Sequence, residues 1–376
     1  MDAKNRLRHE VSDHRFHRVD GPGRNVSEKN TVKLFGDGLS LSPADTVAVL
    51  ETVLDERGIE AGHYSLGGVV EELENTVAEA LGKERGIFFP TGTLANHVAI
   101  RALVGDHTRV LVPKESHIYN DSGDCAQQLS QLNLIPMDSQ TATFALADVE
   151  KVVEQTDSGK VTTGVGAILI ESPVRRRLGE MFDYEEMKRI CSFARDSGIK
   201  THLDGARLYM ASASTGISPA EYASHFDTVY VSLWKYFNAP SGAILAGSRE
   251  VVAPLHHTRR LFGGGLPGAW PFAAVALYYF DDFEAGFHQA IRTAEGFISR
   301  LEQHAAFEVV KIPNGSNLFR VLIEGTDTET FRANLRKRGV MLSPPRPGLE
   351  GFVVAVNPTW NRTSAEALAK AFVDSL

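Results

Sequence analysis

Cysteine, excess basic charge and long apolar stretches are all scarce in this sequence. Its two cysteines, Cys125 and Cys191, cannot build the disulfide framework of a small secreted protein, and they fit a reducing compartment. Asp and Glu total 47 against 39 Lys and Arg, which gives a formal net charge of −8. This acidic balance disfavours nucleic acid and anionic membranes as partners, so we expect neither.

The sequence shows no targeting or membrane-spanning segment. Residues 1–20 are charged and contain histidines, without the apolar stretch of a signal peptide. The longest apolar run, residues 269–280, is too short to cross a bilayer, which needs about 20 residues. We therefore predict a buried helix there and a cytoplasmic location.

The composition is typical of a folded protein, with 43% hydrophobic and 23% charged residues. At roughly 100–200 residues per domain, the length predicts two or three domains. Residues 1–33 are polar and aperiodic, which predicts an N-terminal arm. We expect a large domain over residues 34–285 and a small C-terminal α+β domain over residues 286–376.

Short apolar strands alternate with helices through the predicted large domain. A helix begins at Ser42-Pro43, with Val47, Leu50 and Leu54 as its apolar stripe. Continuous apolar strands separated by helices are typical of a mostly parallel sheet covered by helices on both faces. The predicted strands lie at residues 86–89, 110–112, 167–170, 201–203 and 226–233, and the other helices at 69–81, 94–103 and 183–198.

The pattern changes after about residue 290. A long helix at residues 283–304 precedes strands at 307–312 and 318–323 and helices at 329–338 and 364–375. Capping boxes are predicted at Asp183 with Glu186 and at Thr363 with Glu366. The fold class is therefore α/β, with a smaller α+β domain at the C-terminus.

Polar residues follow most of the predicted strands. In an open α/β sheet, ligands bind at the carboxyl ends of the strands, so these residues should converge at one edge. The set is Thr91-Gly92-Thr93, Glu115-Ser116-His117, Glu171-Ser172, Asp204-Gly205-Ala206-Arg207 and Lys235.

Three of these positions suggest specific chemistry. The Gly92 turn at a helix start is a candidate phosphate cradle, or else an ordinary N-cap turn. Asp204 closes a buried strand and needs a partner, and the alternative is a structural pair with Arg207. Lys235 follows a buried strand, where desolvation favours a nucleophilic amine, and the alternative is an exposed loop lysine. Together with His117, these are the parts of a pyridoxal phosphate site.

The order of these motifs resembles the threonine aldolase and β-eliminating lyase family of fold-type I pyridoxal phosphate enzymes. The resemblance implies an aspartate aminotransferase-like fold and pyridoxal 5'-phosphate as cofactor. The matching stretches are FFPTGTLANHVAI (88–100), ESHIYN (115–120), HLDGARLY (202–209), VSLWKYFNAPSGAILAGS (231–248) and RRLFGGG (259–265).

The resemblance also implies roles for single residues. Lys235 binds the cofactor covalently, Asp204 pairs with its pyridine nitrogen, and His117 stacks on its ring. The phosphate is held by Thr91, Gly92 and Thr93.

Arginines are implied on the substrate side and at a subunit interface. Arg207 lies near the ring and holds the substrate carboxylate, a geometry suited to its bidentate fork. Arg259 or Arg260 reaches the phosphate of a neighbouring subunit, so we expect a homodimer or homotetramer with sites at the interface. Arg175, in the run 175–177, is a candidate contact for a substrate with extra negative charge. A solvated turn whose arginines pair with surface acids is the favoured alternative.

The substrate side departs from the family pattern. Where the family has Ser-Asp-Thr, this sequence has Gly36-Asp37-Gly38. Trp234 replaces the serine that precedes the lysine in the family, and Val174 replaces the histidine of the family's Glu-Asn-Thr-His motif. Leu266-Pro267-Gly268 replaces Met-Arg-Gln, and residues 351–356 contain no arginine. His14, His17, His256 and His257 lack metal-ligand spacing, so we predict no metal site.

The function that follows is a pyridoxal phosphate-dependent lyase acting on a β-hydroxy or β-substituted amino acid. An aminotransferase on the same scaffold and a non-enzymatic cofactor-binding relative are the alternatives, because a fold does not fix the reaction. The retained Lys235 and His117 count against the non-enzymatic alternative.

Overall fold

The structure is a computed structural model, which describes residues 30–158 and 160–376. Most of the predicted arm, together with His14 and His17, lies outside these residues. At the described end of the arm, Val32–Lys33 forms a strand that pairs in parallel with Val340–Met341. The domain boundaries stay predictions.

The described residues contain twelve strands and fifteen α-helices. The strands are β1 (Val32–Lys33), β2 (Arg85–Phe89), β3 (Arg109–Pro113), β4 (Asn133–Met137), β5 (Val165–Glu171), β6 (Lys200–Asp204), β7 (Thr228–Ser232), β8 (Ala243–Gly247), β9 (Phe307–Lys311), β10 (Leu318–Ile323), β11 (Val340–Met341) and β12 (Phe352–Ala355). The helices are α1 (Pro43–Arg57), α2 (Gly68–Ala80), α3 (Gly92–Leu103), α4 (His117–Asn120), α5 (Cys125–Ser130), α6 (Leu146–Asp157), α7 (Tyr184–Asp196), α8 (Leu208–Thr215), α9 (Pro219–Ser224), α10 (Arg249–Val252), α11 (Leu255–Leu261), α12 (Trp270–Phe280), α13 (Phe283–Leu301), α14 (Thr328–Lys337) and α15 (Ala365–Val373).

Seven strands form the central sheet, in the order β2-β8-β7-β6-β5-β3-β4. Only β8 runs antiparallel to its neighbours, β2 and β7, and the other adjacent pairs are parallel. The predicted α/β class with a mostly parallel sheet is therefore confirmed. Strands β4 and β8 were not predicted, since β4 contains a proline and β8 follows β7 without an intervening helix.

Helices bury both faces of this sheet. Successive side chains of a strand point to opposite faces, so an apolar run serves two cores at once. Phe88 and Ile244 pack into the core that contains α2 and α12, whereas Ile87, Phe89 and Leu245 pack against α3 on the opposite face. This burial on both faces explains why the sequences of these strands are continuously apolar instead of alternating with polar residues.

The helix N-caps predicted from the sequence are confirmed, with one correction. Ser42 and Asp183 cap α1 and α7, and each side chain accepts a hydrogen bond from the third following backbone amide. The capping box predicted at Thr363 is wrong by one residue, because the side chain that accepts the amide of Ala367 belongs to Ser364. A hydroxyl caps a helix only where it accepts a hydrogen bond from a free amide of the first turn, and the Ser364 hydroxyl does so.

The predicted apolar stripe of α1 is largely uncovered. Val47 and Leu54 are 53% and 57% exposed, and the buried residue of this helix is Val53. A monomer therefore leaves large apolar side chains of α1 in contact with solvent.

A three-stranded antiparallel sheet, β12-β10-β9, forms the C-terminal unit with α13, α14 and α15. Its core centres on Phe297, whose ring lies 5.4 Å from Trp360 and 4.9 Å from Phe372. The apolar run 269–280 forms the short helix α12 in the main core. Within the described residues, no helix is both long and apolar enough to cross a membrane.

Candidate active site

The parallel strands bring the predicted polar residues to one edge of the sheet. Glu171 ends β5 and lies in register with Asp204 at the end of β6, which in turn pairs with Tyr230 of β7. His117 follows β3, and Lys235 lies three residues beyond β7. The predicted convergence is thus what the topology produces, because parallel strands end on the same side.

Two cavities open at this edge and share Gly36 and Asp37. One, of about 530 Å³, is lined by Glu115, Arg175 and Arg207 and by residues of the C-terminal sheet. The second, of about 670 Å³, is lined by Trp234 and Lys235 together with α1. The space around the strand ends is therefore large enough for a small organic molecule.

Lys235 has the electrostatic character of a nucleophilic amine. Burial, followed by the positive charge of Arg207, lowers its pKa to about 8. Asp204 and Asp37 oppose this shift without cancelling it. About a tenth of the amine is therefore unprotonated at pH 7, far more than in an ordinary lysine, and the unprotonated form is the one that attacks a carbonyl carbon. The side chain of Trp234 beside it is exposed, with its ring centroid 5.7 Å from Nζ.

Asp204 is a buried carboxylate held by neutral donors. It is 2% exposed, and its Oδ2 accepts from Asn96 Nδ2 at 2.6 Å while Oδ1 accepts from the Ala206 amide at 3.1 Å. Among the described residues no lysine or arginine forms an ion pair with it, so the structural pair with Arg207 considered from the sequence is absent. A buried carboxylate of this kind is suited to a cationic N–H from a bound group.

A relay behind Asp204 fixes its orientation. Since the Nδ2 of Asn96 donates to the carboxylate, its Oδ1 faces His202 Nε2 at 2.9 Å as an acceptor. Burial lowers the pKa of His202 to about 4, so the ring is neutral at pH 7. Nε2 must then carry the proton, and Nδ1 accepts from Thr228 Oγ1 at 2.8 Å. Asn96 and His202 were not predicted as site residues, although both lie inside the quoted motifs.

His117 is the first residue of α4, and its ring is neutral at pH 7. Burial lowers the pKa of the imidazole, and the positive charge of Lys235 lowers this pKa further. The negative charge of Asp204 raises the pKa without restoring its usual value. The backbone amide of His117 donates to Glu171 Oε2 at 2.6 Å. A neutral imidazole beside Lys235 and Asp204 can accept a proton from a bound molecule.

The Gly92 turn begins α3. Thr91 is the N-cap, and its Oγ1 accepts from the Leu94 amide at 3.2 Å. The amides of Gly92 and Thr93 lie in the first turn, where a helix supplies no acceptor, so they can bind an anion. A side chain at Gly92 would collide with the Tyr230 hydroxyl, which explains the glycine. The N-cap interpretation is confirmed, and the phosphate contact stays a prediction.

Arg207 is engaged by Asp37, a partner the sequence did not suggest. Nε lies 3.0 and 3.1 Å from the two carboxylate oxygens, and Nη2 lies 2.8 Å from Oδ2. Both side chains are largely buried, at 14% and 13% exposure. The fork that was predicted to hold a substrate carboxylate thus already holds Asp37. A substrate contact by Arg207 stays a prediction, and it would use the N–H groups that Asp37 leaves free, two on Nη1 and one on Nη2.

The arginine run 175–177 forms a short 3₁₀ turn beside the first cavity. Arg175 pairs with Asp121 at 2.8 Å, and Arg176 pairs with Glu115 at 3.2 Å and with Asp121 at 3.3 Å. This arrangement agrees with the favoured interpretation of a solvated turn whose arginines pair with nearby acids. A substrate contact by Arg175 remains an untested expectation.

Arg259 and Arg260 differ sharply in environment. Arg259 is 2% exposed and donates to the carbonyl oxygens of Phe88 at 2.6 Å and Ser65 at 3.2 Å. Its guanidinium therefore ties together parts of its own chain. Arg260 is exposed and packs 4.2 Å from the centroid of the Tyr64 ring. Of the two arginines considered for one contact with a partner's phosphate, the exposed Arg260 is the one whose guanidinium donates no hydrogen bond among the described residues.

The described residues contain no group of three or more His, Cys, Asp or Glu side chains placed to hold a metal ion. Their donor set fits pyridoxal phosphate instead. Lys235 offers an amine of lowered pKa, Asp204 a buried carboxylate without a cation, and the first turn of α3 free amides. These three features match the aldehyde, the ring nitrogen and the phosphate of that cofactor.

Comparison with curated proteins reveals related sequences. The chain is 31% identical to the low-specificity L-threonine aldolase of Candida albicans over 212 residues, which cover 56% of each chain. It is 31% identical to the Saccharomyces cerevisiae enzyme of the same name over 240 residues, covering 62% of this chain and 61% of the relative. An alanine racemase, TOXG, of Cochliobolus carbonum is 32% identical over 217 residues, 57% of this chain and 54% of that one. The chain thus matches less than two thirds of the length of these relatives.

Solved structures match over nearly the whole chain. A putative L-allo-threonine aldolase from Listeria monocytogenes is similar with a TM-score of 0.77 and 27% identity, covering 93% of this chain and 98% of the other. The Leishmania major threonine aldolase has a TM-score of 0.70 at 16% identity, covering 92% and 98%, and supports the fold alone. The family model described as beta-eliminating lyase matches residues 45–321, well over half of the sequence. The chain therefore belongs to the beta-eliminating lyase family.

Proposed function

We propose that this protein is a pyridoxal phosphate-dependent lyase that acts on a β-hydroxy or otherwise β-substituted amino acid. The observation that carries the proposal is the pairing, at one sheet edge, of an amine of lowered pKa with a buried carboxylate that has no cation. Lys235 is the amine and Asp204 the carboxylate. The likeness to threonine aldolases supports carbon–carbon cleavage as the reaction class.

Each residue then has a defined task. Pyridoxal phosphate, when bound, accepts the electron pair left on the substrate's α-carbon. Lys235 holds the cofactor through its amine, and the first turn of α3 binds the phosphate. Asp204, fixed by Asn96, keeps a proton on the ring nitrogen. His117, neutral at pH 7, takes the proton from the substrate's β-hydroxyl.

The substrate side favours something other than threonine. Val174 is fully buried and occupies the position where the family motif carries a second histidine. His117 is thus the one motif-matched histidine that remains for the β-hydroxyl. We propose weak cleavage of threonine and allo-threonine, and better turnover of an amino acid with a larger β-substituent or a β-leaving group.

A product assay separates the reaction classes. The cofactor-loaded protein is incubated with threonine, allo-threonine, larger β-hydroxy amino acids and β-leaving-group amino acids. Aldehyde release identifies cleavage, whereas a 2-oxo acid with ammonia (pyruvate where the β-carbon bears only the leaving group) identifies elimination. Amino transfer that requires a keto acid, or racemisation of alanine without any aldehyde, would contradict the proposal.

We further propose a homodimer or homotetramer in the cytoplasm, with an amino acid as the small-molecule partner. Helix α1 exposes Val47 and Leu54, and the same helix lines the cavity that contains Lys235. A second copy covering α1 would bury these side chains and close that cavity. The exposed Arg260 is then the candidate contact to the partner's phosphate. Free thiols at Cys125 and Cys191 are compatible with a reducing compartment.

A further inference from the structure

Glu171 connects two parts of the site through backbone hydrogen bonds. Its Oε2 accepts from the His117 amide at 2.6 Å, and its Oε1 accepts from the Arg175 amide at 3.1 Å. The residue ends β5 and is 3% exposed. One side chain thus holds the start of α4 with one oxygen and the start of the arginine turn with the other.

The start of α4 depends on Glu171 because its own cap is missing. A helix leaves its first amides without internal acceptors, and a serine at the N-cap normally supplies one. Ser116 occupies the N-cap, yet its side chain makes no capping bond and its buried hydroxyl has no partner among the described residues. With only four residues, α4 has little stability of its own. The carboxylate of Glu171 instead accepts a hydrogen bond from the amide of the first helical residue, His117, and is the side-chain acceptor that the start of α4 has.

The position is also electrostatically unfavourable for a carboxylate. Burial, followed by the neighbouring charge of Asp204, raises the pKa of Glu171 to about 7. An apolar residue would avoid this cost, so a carboxylate at this position indicates a role besides packing.

We propose that Glu171 is a positioning residue that fixes the His117 helix and the arginine turn relative to each other at the sheet edge. The coupling of the two segments stands on the hydrogen bonds alone, whereas its effect on turnover rests on the proposed function, in which His117 handles a proton.

Amide hydrogen exchange at single-residue resolution tests the coupling. Glu171→Met removes both acceptors and keeps the approximate length of the side chain. Losing a charge-assisted hydrogen bond should speed the exchange of the His117 and Arg175 amides about tenfold to a hundredfold. Glu171→Gln keeps one acceptor oxygen and should free one of the two amides.

Glu180→Met is the matched control. Glu180 accepts from the Ala142 amide at 3.0 Å and pairs with Arg177 at 2.6 Å, and among the described residues no side-chain hydrogen bond or ion pair joins it to α4. It should leave the exchange of the His117 amide unchanged. The inference would be overturned if the exchange rate of the His117 amide were unchanged in Glu171→Met. It would also be overturned if that amide exchanged equally fast in Glu180→Met.

Kinetics then separates positioning from a merely structural role. In Glu171→Met we expect kcat to fall at least tenfold, with KM within about twofold and cofactor content unchanged, because His117 is displaced while Lys235 and Asp204 remain. A kcat equal to that of the parent protein would contradict the effect on turnover. If no amino acid is turned over even by the parent protein, the proposed function fails, while faster exchange of both amides would still establish the coupling.

Discussion

Asn96 and Asp204 lie 108 positions apart in the chain and share a buried hydrogen bond of 2.6 Å between Nδ2 and Oδ2. This bond and the neutral His202 behind it give Asp204 one fixed orientation. Asn96→Ala should lower the free energy of unfolding by about 1–3 kcal/mol, because it leaves buried polar groups unpaired. Urea unfolding measures the change. Asn133→Ala, at an exposed position, is the control, and an equal loss in both variants would refute the relay.

Asp204→Asn tests the carboxylate itself. The amide keeps the size of the side chain but cannot hold a proton on a ring nitrogen. We expect cofactor to bind and turnover to fall roughly 10²–10³-fold, the scale seen when one electrostatic contact to developing charge is removed. Steady-state kinetics at equal cofactor content gives the answer, with Asp138→Asn, an exposed residue, as control. Turnover at the parent rate would rule out this role.

The pKa of Lys235 predicts how cofactor attachment depends on pH. Because the pKa is lowered to about 8, the unprotonated fraction rises steeply between pH 7 and 8 and levels off above pH 9. The rate of covalent attachment should follow this curve, whereas an ordinary lysine, with a pKa of about 10.4, would keep gaining up to about pH 11.4. Borohydride reduction and peptide mass spectrometry locate the adduct. Its absence from the Lys235 peptide would exclude the assignment.

Arg207 contributes to the lowered pKa through its charge. Arg207→Gln should raise the pKa of Lys235, because Asp37 and Asp204 then act on the amine without opposition from that cation. The attachment curve would move to higher pH. The double variant Asp37→Asn/Arg207→Gln removes both charges and should move the curve less. An identical curve for the single variant and the parent would show that Arg207 does not act on Lys235.

Helix α1 offers a test of the proposed oligomer. Leu54→Asp places a charge on a side chain that is 57% exposed in one chain and would be buried against a second copy. Sedimentation should show dissociation, together with loss of activity. Val161→Asp is the matched control, since Val161 is 83% exposed and distant in sequence from α1. An unchanged assembly in Leu54→Asp would place the interface elsewhere.

His117→Ala should reduce the chemical step more than cofactor binding. Loss of a general base costs roughly 10²–10⁴-fold in rate. Single-turnover aldehyde release from a large β-hydroxy amino acid measures the step, and absorbance measures cofactor content. The same panel compares both threonine diastereomers. If threonine is the best substrate by a wide margin, the substitution at Val174 has no consequence and the proposed substrate preference is wrong.

The positions of the strand-end residues could be predicted because they follow from local patterns. Apolar strands alternating with helices require parallel pairing, and parallel strands end at one edge, so Asp204, Lys235 and His117 had to converge there. The N-caps Ser42 and Asp183 could also be predicted from the sequence, since a capping hydrogen bond joins residues only three positions apart. Strand β8 broke the alternation and was missed, because it joins β7 antiparallel without a helix between them.

The hydrogen-bond partners of these side chains follow from long-range packing. Asp37 and Arg207 lie 170 positions apart, and Arg259 reaches the carbonyl of Phe88 across 171 positions. No periodicity or spacing encodes such pairs, because they depend on which loops the packed sheets bring together. Local sequence patterns thus fix which residue types meet at the sheet edge. Packing decided that Arg207 is held by Asp37, that Arg259 is used within its own chain, and that Glu171 holds His117.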